Sequence, residues 1–286
     1  MRTSWMLILL AIPSLMGSVL LMRLADAGQS LQVQQLVAAL IGIVYVLWTD
    51  RTSRLHRTEK SSSKAQQIQH ALVLLVLMLV GLAACFAFSE STHPSRWLKL
   101  GPLRLYLSAA VLPLALYQLA RLHWRASFSV VANMVFMLAF AMLLALQPDV
   151  SQLAAFSLAT VFIVWHRAGS FVQKIAFTLA LCLLCCWCWQ QPDPLQPVPY
   201  VEGVIQLAMS AGIVAMLAAV LSLALIPLGL FYIGIKRGSS ELIPIALYYI
   251  VIMICAYIGL TPMPLLGFGA GPVLGYFAVL VGRRDF

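Results

Sequence analysis

The sequence predicts an all-α membrane protein of about ten transmembrane helices with both termini in the cytoplasm. Of its 286 residues, 62% are hydrophobic and only 9% are charged. The mean hydropathy is +0.96, so too little polar surface is available to cover a water-soluble globule. Apolar runs of roughly 20 residues, long enough to cross a bilayer as helices, follow one another with short charged or proline-containing breaks. We therefore expect one integral-membrane domain over residues 1–286.

The apolar runs place the predicted helices in chain order. The first run follows Arg2 as in a signal peptide. It lacks a small-residue cleavage site and another run follows at once, so we expect a retained helix. Residues 204–235 would extend about 48 Å as one helix, which exceeds a hydrocarbon core of roughly 30 Å, so their first third predicts a separate surface or re-entrant helix. The predicted spans are 5–24, 31–48, 71–88, 103–120, 128–146, 150–165, 171–189, 213–235, 242–260 and 265–282.

The distribution of Lys and Arg predicts the orientation. Four of the 18 basic residues (Arg23, Arg96, Lys99 and Arg104) lie on one side of the predicted membrane, and the others, including those of the basic loop 50–70, lie on the opposite side. The side rich in Lys and Arg is cytoplasmic by the positive-inside rule. The net charge of +9 then reflects topology, and we expect no nucleic-acid partner. The outer segments are residues 89–102, 147–149, 190–212 and 259–264.

Two classes of chemistry are disfavoured. None of the nine acidic residues lies well inside a predicted span, which argues against an ion-coupled transporter but leaves uncoupled lipid translocation open. Four cysteines crowd one helix end (Cys182, Cys185, Cys186 and Cys188), but no His or acidic ligand accompanies them. We therefore expect these cysteines to pack as small apolar side chains, with no metal site and no cofactor.

Four outer motifs carry a family resemblance. Their sequences are R-W-L-K-L-G-P-L-R-L-Y-L-S (96–108), L-Q-P-D-V (146–150), Y-V-E-G-V-I-Q-L-A-M-S-A-G (200–212) and G-L-T-P-M-P-L-L-G-F-G-A-G (259–271). In this order they resemble motifs of the SEDS family, the FtsW, RodA and SpoVE type of peptidoglycan glycosyltransferases. Gln34 and Gln35 also fit the family pattern. The resemblance covers nearly the whole chain.

The resemblance implies a substrate, a partner and a chemistry. SEDS proteins polymerise lipid II on the outer membrane face together with a class B penicillin-binding protein. The family's catalytic Asp lies in an H-T-D-F segment of a long outer loop, and no such segment occurs in this sequence. Ala109 stands where the family has a Glu, and Tyr106 replaces a Gln. The resemblance therefore implies that catalysis is weak or lost; a divalent cation is implied only if activity survives.

The remaining outer acids are candidates for a substitute catalytic base. They are Asp26, Glu90, Asp149, Asp193 and Glu202. Glu202 and Asp149 are the catalytic candidates, although an acid at a helix N-terminus more often serves as a cap or a solvated charge. We favour these structural roles for both.

The outer basic residues and motif residues supply candidates for substrate binding. Arg96, Lys99 and Arg104 predict a cationic patch for a pyrophosphate or anionic headgroup, with snorkelling to the interface as the alternative. The substrate-binding candidates are Arg96, Trp97, Lys99, Arg104, Gln147, Tyr200, Thr261 and Pro262.

The sequence thus predicts a SEDS-like protein of peptidoglycan synthesis, in cell shape or division, in the bacterial inner membrane. Expected partners are lipid II or another undecaprenyl-linked precursor, membrane lipids and a class B penicillin-binding protein. Three alternatives stay open. They are an active but diverged glycosyltransferase that uses Glu202 or Asp149, a flippase for lipid-linked precursors, and a regulator of a wall synthase.

Overall fold

The computed structural model describes residues 2–55, 63–88, 95–100, 103–124, 128–167, 169–191 and 197–282. Within these ranges the chain forms eleven helices and one β hairpin. The helices are α1 (Arg2–Leu24), α2 (Gln29–Leu55), α3 (Lys64–Ala87), α4 (Leu107–Trp124), α5 (Val130–Leu146), α6 (Val150–Trp165), α7 (Phe171–Trp189), α8 (Val204–Ser210), α9 (Ile213–Lys236), α10 (Leu242–Tyr257) and α11 (Ala270–Gly282). The hairpin joins β1 (Trp97–Leu100) to β2 (Leu103–Tyr106).

The helices have the length and surface of a multi-pass membrane protein. Five of those described, α1, α2, α3, α7 and α9, are long and apolar enough to cross a bilayer, while α5, α6, α10 and α11 are shorter apolar helices. Large apolar side chains lie exposed along the outer helices, for example Leu183 and Val214. Lipid tails are the solvent for such surfaces, and helices satisfy their own backbone groups there. The count of ten spans and the cytoplasmic termini stay predictions.

The centre of the bundle is formed by α4, α6, α10 and α11. α11 packs against α4 and α2, α10 packs against α6 and α9, and α1 packs against α9. The contact between α11 and α4 is close because Gly275 has no side chain. A Cβ at this position would lie 2.2 Å from the carbonyl oxygen of Ala109. Small residues at helix contacts allow backbones to approach closely in membrane proteins.

The β hairpin corrects the predicted start of one span within a mainly helical fold. Residues 103–106, predicted as the start of a span, form β2, and α4 begins at Leu107. The strands are antiparallel, with Trp97 opposite Tyr106 and Lys99 opposite Arg104. Side chains alternate between the two faces of a strand, and the indole of Trp97 stacks on the Tyr106 ring with centroids 5.2 Å apart. The apolar residues of β2 therefore belong to a hairpin rather than to a helix.

The last predicted span is also shorter than expected. Residues 265–269 form turns, and α11 begins at Ala270. The cause is a close backbone contact at Gly267, where a Cβ would lie 2.1 Å from the carbonyl oxygen of Val201. Gly267 thus allows the turn to lie directly against residues 197–203.

The break predicted within residues 204–235 is present. α8 ends at Ser210 and α9 begins at Ile213. Between them Gly212 has a φ of +122°, a backbone conformation that glycine adopts without the strain of a side chain. Val204 and Ala208 bury one face of α8, so α8 packs onto the bundle as a separate short helix.

Candidate functional site

Four segments that the sequence predicts on the outer side meet at one end of the bundle, which we call the hairpin end. It contains the hairpin, residues 147–149, residues 197–203 and residues 259–269. The amide of Phe268 donates to the carbonyl oxygen of Tyr200 at 2.9 Å, and the amide of Met263 donates to that of Val201 at 3.0 Å. Gly271 lies against the backbone of Tyr106, where a Cβ would be 2.3 Å from the Tyr106 carbonyl oxygen. The backbone therefore fixes these segments relative to one another.

A cavity of about 390 Å³ opens at the hairpin end, and we call it the hairpin cavity. Its lining includes four of the predicted binding candidates and one catalytic candidate: Trp97, Arg104, Tyr200, Pro262 and Glu202. The beginnings of α2 and α11 complete the wall. The structure thus brings together predicted site residues that are up to 165 positions apart in the chain, from Trp97 to Pro262.

The chemistry of the hairpin cavity is mixed. Trp97 and Tyr106 present a stacked aromatic pair, and Phe268 lies edge-on to Tyr200 with ring centroids 6.4 Å apart. Arg104 is exposed on the same cavity. Aromatic faces suit the apolar faces of sugars, and a guanidinium suits a phosphate oxygen. The side chain of Lys99, the Cα partner of Arg104 in the hairpin, lies outside the described side chains.

Asp149 lies behind the hairpin cavity and is fully buried. Its carboxylate accepts hydrogen bonds from the Tyr106 hydroxyl at 2.7 and 2.8 Å, from Ser108 at 3.0 Å and from Ser151 at 3.2 Å. The amide of Gln152 also donates to it, at 3.4 Å, which makes Asp149 the N-cap of α6. Each oxygen is thus occupied by internal donors, as expected of a cap.

Tyr106 links Asp149 to the wall of the hairpin cavity, because its hydroxyl bonds Asp149 and the residue lines the cavity. It lies in β2, ahead of α4, and is 3% exposed. Burial and the negative charge of Asp149 both raise the pKa of its phenol above the ordinary value. The hydroxyl therefore stays protonated and donates to Asp149, while the ring stacks against Trp97.

Three predicted binding candidates also lie behind the cavity. Arg96 is 4% exposed, and its Nε donates to the carbonyl oxygen of Gln147 at 3.3 Å. The Gln147 amide donates to the carbonyl oxygen of Leu82 at 2.7 Å. Thr261 is 2% exposed and lies beside the Tyr106 hydroxyl. Because Arg96 is buried against this backbone, the structure does not bring it together with Arg104 in one cationic patch.

Glu202 borders two cavities. Its Oε2 accepts a hydrogen bond from the amide of Val198 at 2.8 Å, which closes the turn before α8. Besides the hairpin cavity, it lines a more open cavity of about 460 Å³ beside Gln206 and Tyr257. Glu202 is the only acidic residue that lines the hairpin cavity in the part of the chain that the structure describes. The acids Glu90 and Asp193 lie outside the described residues.

In the sequence, Tyr106 stands out only as a departure from the family pattern, which does not predict its role in the site. The available signal was the alternation of leucine with a basic residue on both sides of Gly101 and Pro102, L-K-L before them and L-R-L after them, which is typical of a hairpin. The sequence identifies Gln35 only as a motif match. Its side-chain amide donates to the carbonyl oxygen of Gly267 at 3.2 Å and accepts from the amide of Gly269 at 3.0 Å. A single helical Gln gives no sequence signal of such a pairing.

Within the described ranges, no group of three His, Cys, Asp or Glu side chains is placed to hold a metal ion. All six cysteines are free. Cys188 is buried, Cys185 contacts the Ser157 hydroxyl at 3.6 Å, and Cys182 and Cys186 lie on the exposed face of α7.

Comparison with known proteins gives structural matches only. No family model matches the chain, and no curated protein matches it. Among solved structures, the chain is similar to the rod shape determining protein RodA of Thermus thermophilus, with 19% identity and a TM-score of 0.65 over 98% of this chain and 96% of that one. An aspartate-to-alanine mutant of that RodA matches with 20% identity and a TM-score of 0.67, over 98% of this chain and 97% of that one.

A further match is a chain from a study of how a peptidoglycan synthase complex coordinates polymerization and crosslinking. Its identity to this chain is 19% and its TM-score is 0.65, over 98% of this chain and 95% of that one. The chain therefore has the fold of RodA over nearly its whole length. The fold expected from the SEDS resemblance is confirmed.

Proposed function

We propose that this chain is a SEDS-like protein of peptidoglycan synthesis that binds lipid II, or another undecaprenyl-linked precursor, in the hairpin cavity and has weak or no polymerase activity. The observation that carries the proposal is the composition of the cavity. It combines Trp97, Tyr200 and Arg104, while the nearby carboxylate of Asp149 is occupied by internal hydrogen bonds. The RodA fold and the order of the outer motifs support the same class of protein.

The cavity suits the headgroup of a lipid-linked sugar diphosphate. Ligand sites are concave and mostly apolar, with few polar groups that fix orientation. Trp97 and Tyr200 offer ring faces to sugar rings, and Arg104 offers a guanidinium that can bind a phosphate oxygen through two N–H groups. This division of roles matches an amphiphile whose phosphates lie between its sugars and its chain.

Weak catalysis follows from the carboxylates. A general base must reach the proton that it removes. Asp149 is fully buried and engaged by Tyr106 and Ser108, so its carboxylate does not face the cavity. The family segment that supplies the catalytic Asp is absent from the sequence.

The test measures lipid II binding and glycan formation by the purified protein in nanodiscs. We expect saturable binding and no glycan above the blank. The change Arg104→Ala should weaken binding by roughly tenfold, because it removes a charge-assisted hydrogen bond. Arg23→Ala is a matched control, since Arg23 bonds Gln32 and does not line the cavity. Equal binding by both variants and the unmodified protein would contradict the placement of the phosphates.

A second candidate function is polymerisation with Glu202 as the base. The specific observation is that Glu202 lines both cavities at the hairpin end, so two sugar substrates could lie on either side of one carboxylate. In that case the purified protein makes glycan, and Glu202→Gln abolishes glycan formation while lipid II binding changes little. Glycan that persists in Glu202→Gln excludes this role.

The same material separates the remaining alternatives. A flippase would move labelled precursor across vesicles without forming glycan. A regulator would change glycan formation by a class B penicillin-binding protein complex when added to it. The partner proposal is supported by the similar chain from a peptidoglycan synthase complex, and co-purification with a class B penicillin-binding protein tests it. The inner membrane is the proposed location, because lipid II synthesis takes place there.

A further inference from the structure

An apolar groove runs between α1 and α2, beside the hairpin cavity. It has a volume of about 260 Å³. Ile12, Leu15 and Met16 of α1 form one side, and Leu36, Ala39 and Ile43 are among the residues of α2 that form the other. The groove exists because α1 packs mainly against α9 while α2 packs mainly against α11. The two helices are neighbours in sequence but rest on different supports.

The groove begins where the hairpin cavity ends. On α2, Leu31 and Gln34 line the hairpin cavity, and the next residue, Gln35, lines the groove. Gln35 is 1% exposed, and its amide is bonded to Gly267 and Gly269. Gly269 itself lines the hairpin cavity. The hydrogen bond between Gln35 and Gly269 therefore places the groove next to the hairpin cavity.

The polarity of the lining changes at Gln35. The hairpin cavity contains Arg104, Glu202 and Gln34. Among the residues that the structure describes, Gln35 is the only polar side chain in the lining of the groove, and its amide is already paired with backbone. From Gln35 to Ile43 the groove follows α2 for about 12 Å at 1.5 Å per residue. A groove with this apolar lining suits an apolar chain better than a polar one.

We propose that the groove between α1 and α2 binds the isoprenoid chain of the same amphiphile whose sugar diphosphate headgroup occupies the hairpin cavity. This inference rests on the proposed function. Continuity along α2 favours this occupant over a bulk phospholipid, because a molecule held by its headgroup beside Gln34 has its chain delivered to Leu36. Different lipid tails solvate apolar helices about equally well. Selectivity for the isoprenoid chain therefore comes from its covalent attachment to the bound headgroup and from packing against Ala39.

The test is site-specific crosslinking in nanodiscs. A photoreactive phenylalanine analogue is placed at Ile43, which lines the groove, or at its neighbour Val44, which is 54% exposed and does not line it. The probe is lipid II with a radiolabelled headgroup. We expect label at position 43 well above that at 44. Unlabelled lipid II should compete for it, and an excess of phosphatidylglycerol should not.

A groove-filling variant gives a second readout. Ala39→Phe occupies the groove, and Val37→Phe places the same side chain on the 47% exposed face of α2 outside it. We expect Ala39→Phe to reduce crosslinking at position 43 several-fold and Val37→Phe to leave it unchanged. Leu36→Trp is a substitute if Ala39→Phe does not fold, because Leu36 lines the groove and is 52% exposed.

The outcomes separate the inference from the proposed function. Equal label at positions 43 and 44 with saturable headgroup binding overturns the groove and leaves the proposed function standing. Competition by phosphatidylglycerol at position 43 also overturns it, because any lipid then fills the groove. No lipid II binding in a direct binding assay overturns the proposed function and, with it, the inference.

Discussion

The hydrogen bond between Tyr106 and Asp149 joins the cavity wall to the buried core. Three hydroxyl donors, from Tyr106, Ser108 and Ser151, and the cap of α6 depend on one carboxylate. Loss of a buried acceptor leaves its donors without partners, which costs more than the bonds contribute when formed. Asp149 therefore contributes to stability first and affects binding through the position of Tyr106.

We expect Asp149→Ala to lower the free energy of unfolding by about 3 kcal/mol, measured by denaturation in detergent. Asp149→Asn keeps the shape and an acceptor oxygen but brings an NH₂ group against the Tyr106 and Ser108 hydroxyls, so an intermediate loss is expected. A matched control for Asp149→Asn is Asp26→Asn, because Asp26 lies in the turn between α1 and α2 with a φ of +52°, a conformation that Asn also adopts. Equal stability of Asp149→Asn and Asp26→Asn would contradict the role assigned to the network.

Tyr106→Phe removes one hydroxyl and keeps the ring that stacks on Trp97. Because the hydroxyl is a buried donor to a carboxylate, we expect a loss of about 2 kcal/mol. Tyr200→Phe is the control, since its hydroxyl makes no hydrogen bond among the described residues and its ring also lines the cavity. The comparison of the two melting temperatures isolates the hydroxyl of Tyr106; a Tyr200→Phe loss of the same size would refute the assignment.

At the scale of elements, the sequence predicts the bounds of a helix well where a long apolar run is compatible only with a helix. α5, α6 and α7 match the predicted spans 128–146, 150–165 and 171–189 to within two residues. Residues 103–106 of the hairpin and residues 265–269 are predicted as parts of spans because they adjoin long apolar runs. Their conformation depends on partners distant in sequence, the Trp97 stack on Tyr106 and the contact of Gly267 with Val201. Hydropathy carries no information about such partners.

The sequence predicts which segments form the candidate site but not how deeply each residue is buried. The motifs identified Trp97, Arg104, Tyr200 and Pro262, which share the cavity. Gln147 and Arg96 also belong to the outer motifs, yet they are buried behind the cavity. Burial at the end of a bundle depends on how the loops fold over one another, and a polar residue in a loop gives no local signal of it.

Gly267 provides the test at this scale. A Cβ at this position would lie 2.1 Å from the carbonyl oxygen of Val201, so the turn before α11 can lie against that oxygen only because Gly267 has no side chain. The atom in the way is backbone and cannot rotate aside. We expect Gly267→Ala to cost about 1 to 3 kcal/mol of stability and to weaken precursor binding, because Phe268 and Gly269 line the cavity.

Gly28→Ala is the matched control for this change. The nearest atom to a Cβ at Gly28 is the Ser30 hydroxyl at 3.8 Å, an ordinary contact. Unfolding in detergent and lipid II binding are measured for both variants. A stable Gly267→Ala protein with unchanged binding would show that the turn does not shape the cavity.

At the scale of the whole molecule, function depends on which side of the membrane the hairpin end faces. The proposed binding of lipid II for wall synthesis requires the outer side. The excess of Lys and Arg on the other loops predicts that orientation. The ends of α1, α3, α5, α7 and α10 and the beginnings of α2, α4, α6 and α11 all lie toward the hairpin end, so one orientation fixes the side of every loop.

The orientation is tested with reporter fusions. Green fluorescent protein at the C-terminus folds in the cytoplasm, and alkaline phosphatase becomes active only outside. We expect fluorescence from the C-terminal fusion, high phosphatase activity from a fusion in the turn at Asp26, and low activity from one in the basic loop after Leu55. The opposite pattern places the hairpin cavity in the cytoplasm. Arg104 would then face soluble nucleotides and phosphates rather than lipid II at the outer surface, and the proposed function and the groove inference would fail together.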